Sequence, residues 1–226
     1  MTCRLWNITA RPHLHYSLTM YLDPHEGYDE KYCWPEPLKK LYELELLPFI
    51  KRLRIRTFNS EVTPKIFDSD STLHCFSALT NIQELQIDNL RIPSFMPKFQ
   101  EYFGHFTSTV QRLDLYLPEG SCRQIIYFIG LFPNLQDLTI NSPVYPEEEV
   151  DSTLIPHSKP PLHGSFTLVS NEGETLVREM IKLFNGLRFR RMHLNQVECT
   201  RLLLKECAET LETLQLHSTD PGENFY

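Results

Sequence analysis

Ile82-Gln-Glu-Leu85-Gln-Ile87 is the stretch on which the reading of this chain turns. It places three apolar residues at the spacing apolar-x-x-apolar-x-apolar, with polar residues between them. Leu85 and Ile87 alternate with period two, as a strand with one buried face requires. The same spacing returns at Ile50-Lys-Arg-Leu53-Arg-Ile55, Val110-Gln-Arg-Leu113-Asp-Leu115 and Leu135-Gln-Asp-Leu138-Thr-Ile140. It returns again at Phe189-Arg-Arg-Met192-His-Leu194 and Leu211-Glu-Thr-Leu214-Gln-Leu216, with a degenerate copy at His163-Gly-Ser-Phe166-Thr-Leu168. With 41% of the residues apolar, about fifteen such matches arise by chance, so the pattern alone decides nothing. The regular interval does: copies begin at 50, 82, 110, 135, 163, 189 and 211, about 27 residues apart on average.

The residues between the copies have helical period. Ser121-Cys-Arg-Gln124 is a capping box that opens a helix over Arg123–Phe132, and Pro133 closes it. Asn171-Glu-Gly-Glu174 opens a second, whose apolar face is Leu176, Val177, Met180, Leu183 and Phe184; Asn185-Gly186 suits its C-terminus. Asn195-Gln-Val-Glu198 opens a third, carrying Leu202, Leu203 and Leu204, and shorter helices fit Leu38–Phe49, Ser71–Leu79 and Pro97–His105. A strand and a helix recurring at this interval want a parallel sheet with helices on one side. Each unit has an apolar face that only its neighbours can bury, so the units stack. The expectation is an α/β leucine-rich-repeat-like solenoid, an open horseshoe with about seven parallel strands on its concave face and helices on its convex face. Leucine-rich repeats place Asn or Cys three residues after the last strand leucine. Here those positions hold Phe58, Leu90, Pro118, Pro143, Val197 and Thr219, so irregular turns are expected.

Two segments stand outside the repeat. Residues 1–35 read as an irregular lead-in, to which His13–Leu22 adds a first edge strand, because Leu14, Tyr16, Leu18, Met20 and Leu22 alternate. Residues 36–226 form the repeat domain, interrupted at 141–164 by a Pro-rich acidic loop. That loop holds five of the sixteen prolines and the run Glu147-Glu-Glu149 with Asp151. It reads as a solvated insertion in place of one helix, or as a partner or modification site.

The chain has 226 residues and a net charge of −7, enough for a sizeable core without a metal or disulfide staple. No window approaches the roughly 18–20 apolar residues of a membrane span, and the first residues lack the apolar run of a signal peptide. Cys3, Cys33, Cys75, Cys122, Cys199 and Cys207 form no CxxC pair. They read as reduced thiols of a cytoplasmic or nuclear protein.

In the strands, the residues between the apolar ones face away from the helices. Placed in register, the copies give three rows. The first is Arg52, Glu84, Arg112, Asp137, Ser165, Arg191 and Thr213. The second is Arg54, Gln86, Asp114, Thr139, Thr167, His193 and Gln215, and the third is Arg56, Asp88, Tyr116, Asn141, Val169, Asn195 and His217. The first row alternates in sign through its first four members. That alternation fits cross-strand ion pairs serving register and solubility. It also fits a face that recognises an unknown protein substrate, with Arg52, Arg54, Arg56, Tyr116, Arg191 and His193 as contacts.

No HExxH, glycine-rich phosphate loop or G-x-S-x-G is present, and the nine His and six Cys show no metal spacing. His13-x-His15 would share a strand face but lacks a third ligand, Cys122 reads as a buried thiol, and Asp68 and Asp70 suit a helix N-terminus. The expectation is therefore no enzyme, no cofactor and no membrane partner. Lys51-Arg52-Leu-Arg54-Ile-Arg56 and Arg188-Phe-Arg190-Arg191 are basic, yet strand alternation explains them and the chain is acidic, so no nucleic-acid partner is expected.

Ala78-Leu-Thr-Asn-Ile-Gln-Glu-Leu-Gln-Ile87 resembles the C-terminal region of a large family of F-box proteins from mushroom-forming fungi. So do Phe99-Gln-Glu-Tyr-Phe-Gly-His-Phe106 and Leu117-Pro-Glu-Gly-Ser-Cys-Arg-Gln-Ile-Ile-Tyr-Phe-Ile-Gly-Leu-Phe132. Gly186-Leu-Arg-Phe-Arg190 and Thr210-Leu-Glu-Thr-Leu214 with Thr219-Asp-Pro221 fit as well, so the resemblance spans about residues 35–222. It implies the substrate-binding region of a ubiquitin-ligase adaptor. Nothing before residue 36 resembles the Leu-Pro opening of an F-box, although Cys3-Arg-Leu-Trp6-Asn-Ile looks like its tail. A Skp-type adaptor is thus an implied partner only with an F-box upstream. A stand-alone interaction scaffold and a truncated, non-functional product are the alternatives, with an uncharacterised enzyme behind both.

Overall fold

The computed structural model describes residues 16–21, 36–57, 70–143, 161–170, 173–195 and 197–216. Within these, eight strands form a single sheet: β1 (Ser17–Tyr21), β2 (Arg52–Arg56), β3 (Glu84–Asp88), β4 (Arg112–Tyr116), β5 (Asp137–Asn141), β6 (Leu162–Val169), β7 (Leu187–Leu194) and β8 (Thr213–Leu216). Their order in the sheet is their order in the chain, and every neighbouring pair is parallel. Parallel neighbours need a crossover between them. The described crossovers carry α1 (Glu36–Glu43), α2 (Asp70–Ser77), α3 (Ile92–Phe103), α4 (Cys122–Ile129), α5 (Gly173–Leu183) and α6 (Val197–Cys207). Each of these helices packs against the next in chain order.

Alternation assigns the two faces of the sheet. Leu53 and Ile55, Leu85 and Ile87, Leu113 and Leu115, Leu138 and Ile140, Phe166 and Leu168, and Met192 and Leu194 are each at most 3% exposed. They join the helices in one continuous core. Its centre is aromatic: Phe99 of α3 lies 4.9 Å from Phe128 of α4 and 5.4 Å from Phe103, ring centre to ring centre. Phe76 of α2 lies 4.8 Å from Phe103, so rings tie three consecutive helices together. Burying one such ring stabilises the fold by roughly 1.5–3 kcal/mol. Among the described residues, the opposite face of the sheet carries the polar residues and no helix.

The described strands number eight rather than about seven, because Ser17–Tyr21 pairs with β2 and buries Leu18 and Met20. The first two predicted rows match the observed register from Arg52↔Glu84 to Arg191↔Thr213, and the third matches it from Arg56 to Val169; Asn195 is in no strand pair and His217 lies outside the described residues, while Ser17, Thr19 and Tyr21 are added at the heads of the rows. Only β6 and β7 add an irregularity, a bulge at Gly164/Ser165. Gly164 sits there at φ +88°, and a Cβ on it would fall 1.9 Å from the Gln136 carbonyl oxygen.

The Ser121 capping box is present, opening α4 at Cys122. α3 begins earlier than Pro97. Arg91 is its extended N-cap, Pro93 lies in the first turn, and Pro97 is inside the helix. A proline pair four apart offers two plausible starts, and packing of Ile92 and Phe95 into the core selects the first. Asn141 closes β5 and Leu162–Gly164 opens β6, so the sheet takes both ends of the Pro-rich stretch; its residues 144–160 lie outside the described residues.

The turns after three strands are alike, not irregular. Asn89, Leu117 and Ser142, each directly after its strand, have φ of 54°, 49° and 48°. Their N–H groups donate to the carbonyls of Tyr116, Asn141 and Val169 on the next strand. A second repeated contact precedes the strands. Asn81 and Asn134 donate to the Pro48 and Ser108 carbonyls, and Thr109 and Thr210 to those of Ile82 and Phe189. All four residues stand three positions before a strand, and each satisfies a backbone carbonyl of the preceding unit.

Candidate functional site

The helix-free face of the sheet gathers the predicted contact residues into two groups. At the β2–β3 end, Arg52 Nε donates to Glu84 Oε2 at 2.6 Å, and the Tyr16 hydroxyl donates to Glu84 Oε1 at 3.0 Å. That bond to a carboxylate, aided by burial, pushes the Tyr16 phenol above its ordinary pKa. Arg54 donates to Asp88 Oδ2 from Nε at 2.8 Å and from Nη2 at 2.5 Å. Arg56 Nε reaches the same oxygen at 2.9 Å, and Gln86 donates to Asp88 Oδ1 at 3.0 Å. One nearly buried carboxylate thus holds two guanidinium groups and an amide. Tyr21 and Tyr16 supply aromatic faces: the Arg56 guanidinium carbon is 5.8 Å from the Tyr21 ring centre, and that of Arg52 is 5.8 Å from Tyr16.

Toward β8 the face sinks into a depression of about 360 Å³. Ser165, Thr139, Thr167 and Thr213 line it, with Arg112 and Asp137 on one side and Arg191 and His193 on the other. Here the sign alternation does not make the predicted cross-strand pair. Arg112 turns along its own strand to Asp114, at 3.0 Å, because residues two apart on one strand share a face. Burial lowers the Arg112 pKa, but Asp114, Glu84 and Asp137 together outweigh it and raise it. Tyr116 lies on β4 opposite Asp88 of the first group, with Asn141 on its other side.

Asp88, Tyr16 and Tyr21 are not among the contacts expected from the sequence. The signal for Tyr21 was present: setting Ser17–Tyr21 beside β2 places it opposite Arg56. The role of Asp88 was not legible, because sharing one carboxylate between two arginines depends on rotamers.

The remaining chemistry is sparse. Among the described residues, no group of three or more His, Cys, Asp or Glu is placed to hold a metal, and no helix is long and apolar enough to cross a membrane. Cys75, Cys122, Cys199 and Cys207 are in no disulfide. Burial pushes the Cys75 and Cys207 thiols above their ordinary pKa, the opposite of what a nucleophilic thiolate needs. His13, His15 and Asp68 lie outside the described residues.

Among the described residues, a single parallel sheet with helices on one face and a polar second face without a helix defines an α/β protein. No protein-family model matches the chain, and no curated protein matches it.

Proposed function

We propose that this chain recognises a segment of another protein on the helix-free face of its sheet, with Arg52, Arg54, Arg56, Tyr116, Arg191 and His193 among the contacts. The observation that carries this reading is the face itself. Three polar rows run in register from β2 toward β8 and descend into a depression, while the other face is spent on the core. Arginine and tyrosine are enriched at binding hot spots because they combine contact area with directional hydrogen bonds. The reading is one of binding and not of catalysis, in a cytoplasmic or nuclear setting.

We further read the architecture as a leucine-rich-repeat-like solenoid, with the helix-free face concave. Chain-ordered strands, helices that touch in chain order and the repeated Asn/Thr contact support it. The resemblance to fungal F-box proteins extends the proposal to delivery of the bound protein to a ubiquitin ligase. The second reading is a stand-alone scaffold, and co-purification of a Skp-type adaptor with the chain from its own cell separates the two.

The test of recognition itself is a photo-crosslinking amino acid placed at Thr167, on the floor of the depression, or at Arg178, on α5. The expected result is a discrete adduct from Thr167 and none from Arg178. Adducts from Arg178 alone would overturn the reading.

A further inference from the structure

The ion pairs of the helix-free face share one arrangement: the carboxylate lies underneath and the guanidinium on top. The Glu84 side chain is 24% exposed against 47% for Arg52, and Asp114 is 12% exposed against 48% for Arg112. Asp88 is 10% exposed beneath Arg54 at 35% and Arg56 at 38%. At these pairs an approaching molecule therefore meets the guanidinium edge before the carboxylate. In the three rows, five arginines stand against Glu84, Asp88, Asp114 and Asp137, a surplus of positive charge on a chain whose net charge is −7.

The surplus is greatest at Arg54 and Arg56, which share the one carboxylate of Asp88. A guanidinium has five N–H donors. Pairing with Asp88 leaves about three on Arg54 and about four on Arg56, held in place by Asp88 below and, for Arg56, by Tyr21 beside it. A fixed, outward-facing set of N–H groups on a cationic plane is complementary to carboxylate oxygens, which accept such bonds in pairs.

We infer that the protein segment recognised on this face is acidic, and that an Asp or Glu of it docks on the outer N–H groups of Arg54 and Arg56. The inference rests on the recognition reading above and supplies its ligand class. One feature favours an acidic segment over a nucleic acid: beyond the arginines, the depression presents neutral hydroxyls at Thr139, Ser165 and Thr167, which suit the amide groups of a peptide.

The probes are fluorescent deca-glutamate, deca-glutamine and a single-stranded DNA oligomer, titrated against the whole chain by anisotropy at low and at physiological salt. Deca-glutamate binds, deca-glutamine does not, and added salt weakens the binding. Arg54→Gln with Arg56→Gln reduces affinity about tenfold or more, while Arg178→Gln with Lys182→Gln on α5 leaves it unchanged. Arg56→Gln alone keeps Arg54 on Asp88, and so the fold, yet still weakens binding. Equal binding of deca-glutamine, tighter binding of DNA, or indifference to Arg56→Gln would each overturn the inference. Persistence of the Thr167 adduct in the Arg54→Gln, Arg56→Gln chain would sink the acidic ligand while leaving recognition intact. Absence of that adduct from the unaltered chain would sink recognition itself.

Discussion

At the scale of single residues, two positions decide more than their size suggests. Gly164 follows His163 in β6 with a left-handed φ and lies against the Gln136 carbonyl. Its lack of a side chain lets the backbone of β6 come that close to Gln136, just before β5, at the point where the β6–β7 register shifts. Gly164→Ala is expected to cost roughly 2–4 kcal/mol, read as a lower thermal midpoint, because conformational strain and a backbone clash add. Glu179 of α5 accepts from Lys182 at 2.5 Å and from Arg123 of α4 at 3.4 Å. The bond from Lys182, with that from Arg123, holds its carboxyl below the usual carboxylate range although burial opposes this. Its folded pKa lies below its unfolded one, so its stabilisation is full above the ordinary carboxylate range and is lost as pH falls through the lowered value. Glu179→Gln should lower stability at neutral pH by about 0.2–1 kcal/mol, the range for pairs with exposed partners. Denaturant midpoints of the two proteins should then converge in acid.

At the scale of elements, α3 carries a local conflict that the core outweighs. Pro97 stands in the interior of the helix and cannot donate to the Pro93 carbonyl, yet Phe95, Phe99, Tyr102 and Phe103 are all buried. Pro97 is itself exposed. Pro97→Ala restores the missing donor without touching the core and should raise stability by about 1–2 kcal/mol, less the entropy regained by the unfolded chain. A higher thermal midpoint checks this; a lower one would mean that a proline kink positions the aromatic residues. Strain of a different kind recurs at strand ends. Leu117 is 47% exposed at φ 49°, a conformation that suits Asn89 far better. The repeated bond from its N–H to the next strand offsets that cost.

At the scale of the whole molecule, a sheet whose strand order follows the chain has ends unlike its middle. β3, β4 and β5 have partners on both sides, and the apolar residues that point to the core are buried in each. Among the described residues β8 has one strand neighbour, and its Leu216 is 53% exposed. Local opening costs least where few apolar contacts must be broken. Hydrogen exchange read by mass spectrometry should therefore show β8 exchanging well before β3–β5. Uniform protection across the sheet would mean instead that the stack opens only as one cooperative unit.

The interval between the copies of Ile82-Gln-Glu-Leu85-Gln-Ile87 sufficed to determine seven of the eight described strands, their parallel order and most of the register of the rows, because period-two burial leaves one way to align neighbouring copies. The Asn and Thr contacts are equally present in the sequence, three residues before four of the strands, on the opposite side of the strand from the turn where leucine-rich repeats place Asn or Cys. Sequence determined which residues line the polar face. Tertiary structure decided what they do there: Arg112 turns to Asp114 and not across to Asp137, and Asp88 holds both Arg54 and Arg56. Backbone register is set by a local repeat that can be read from spacing. The partner of a long charged side chain is chosen among several carboxylates within reach, at differences of a fraction of a kcal/mol, and only the packed sheet resolves that choice.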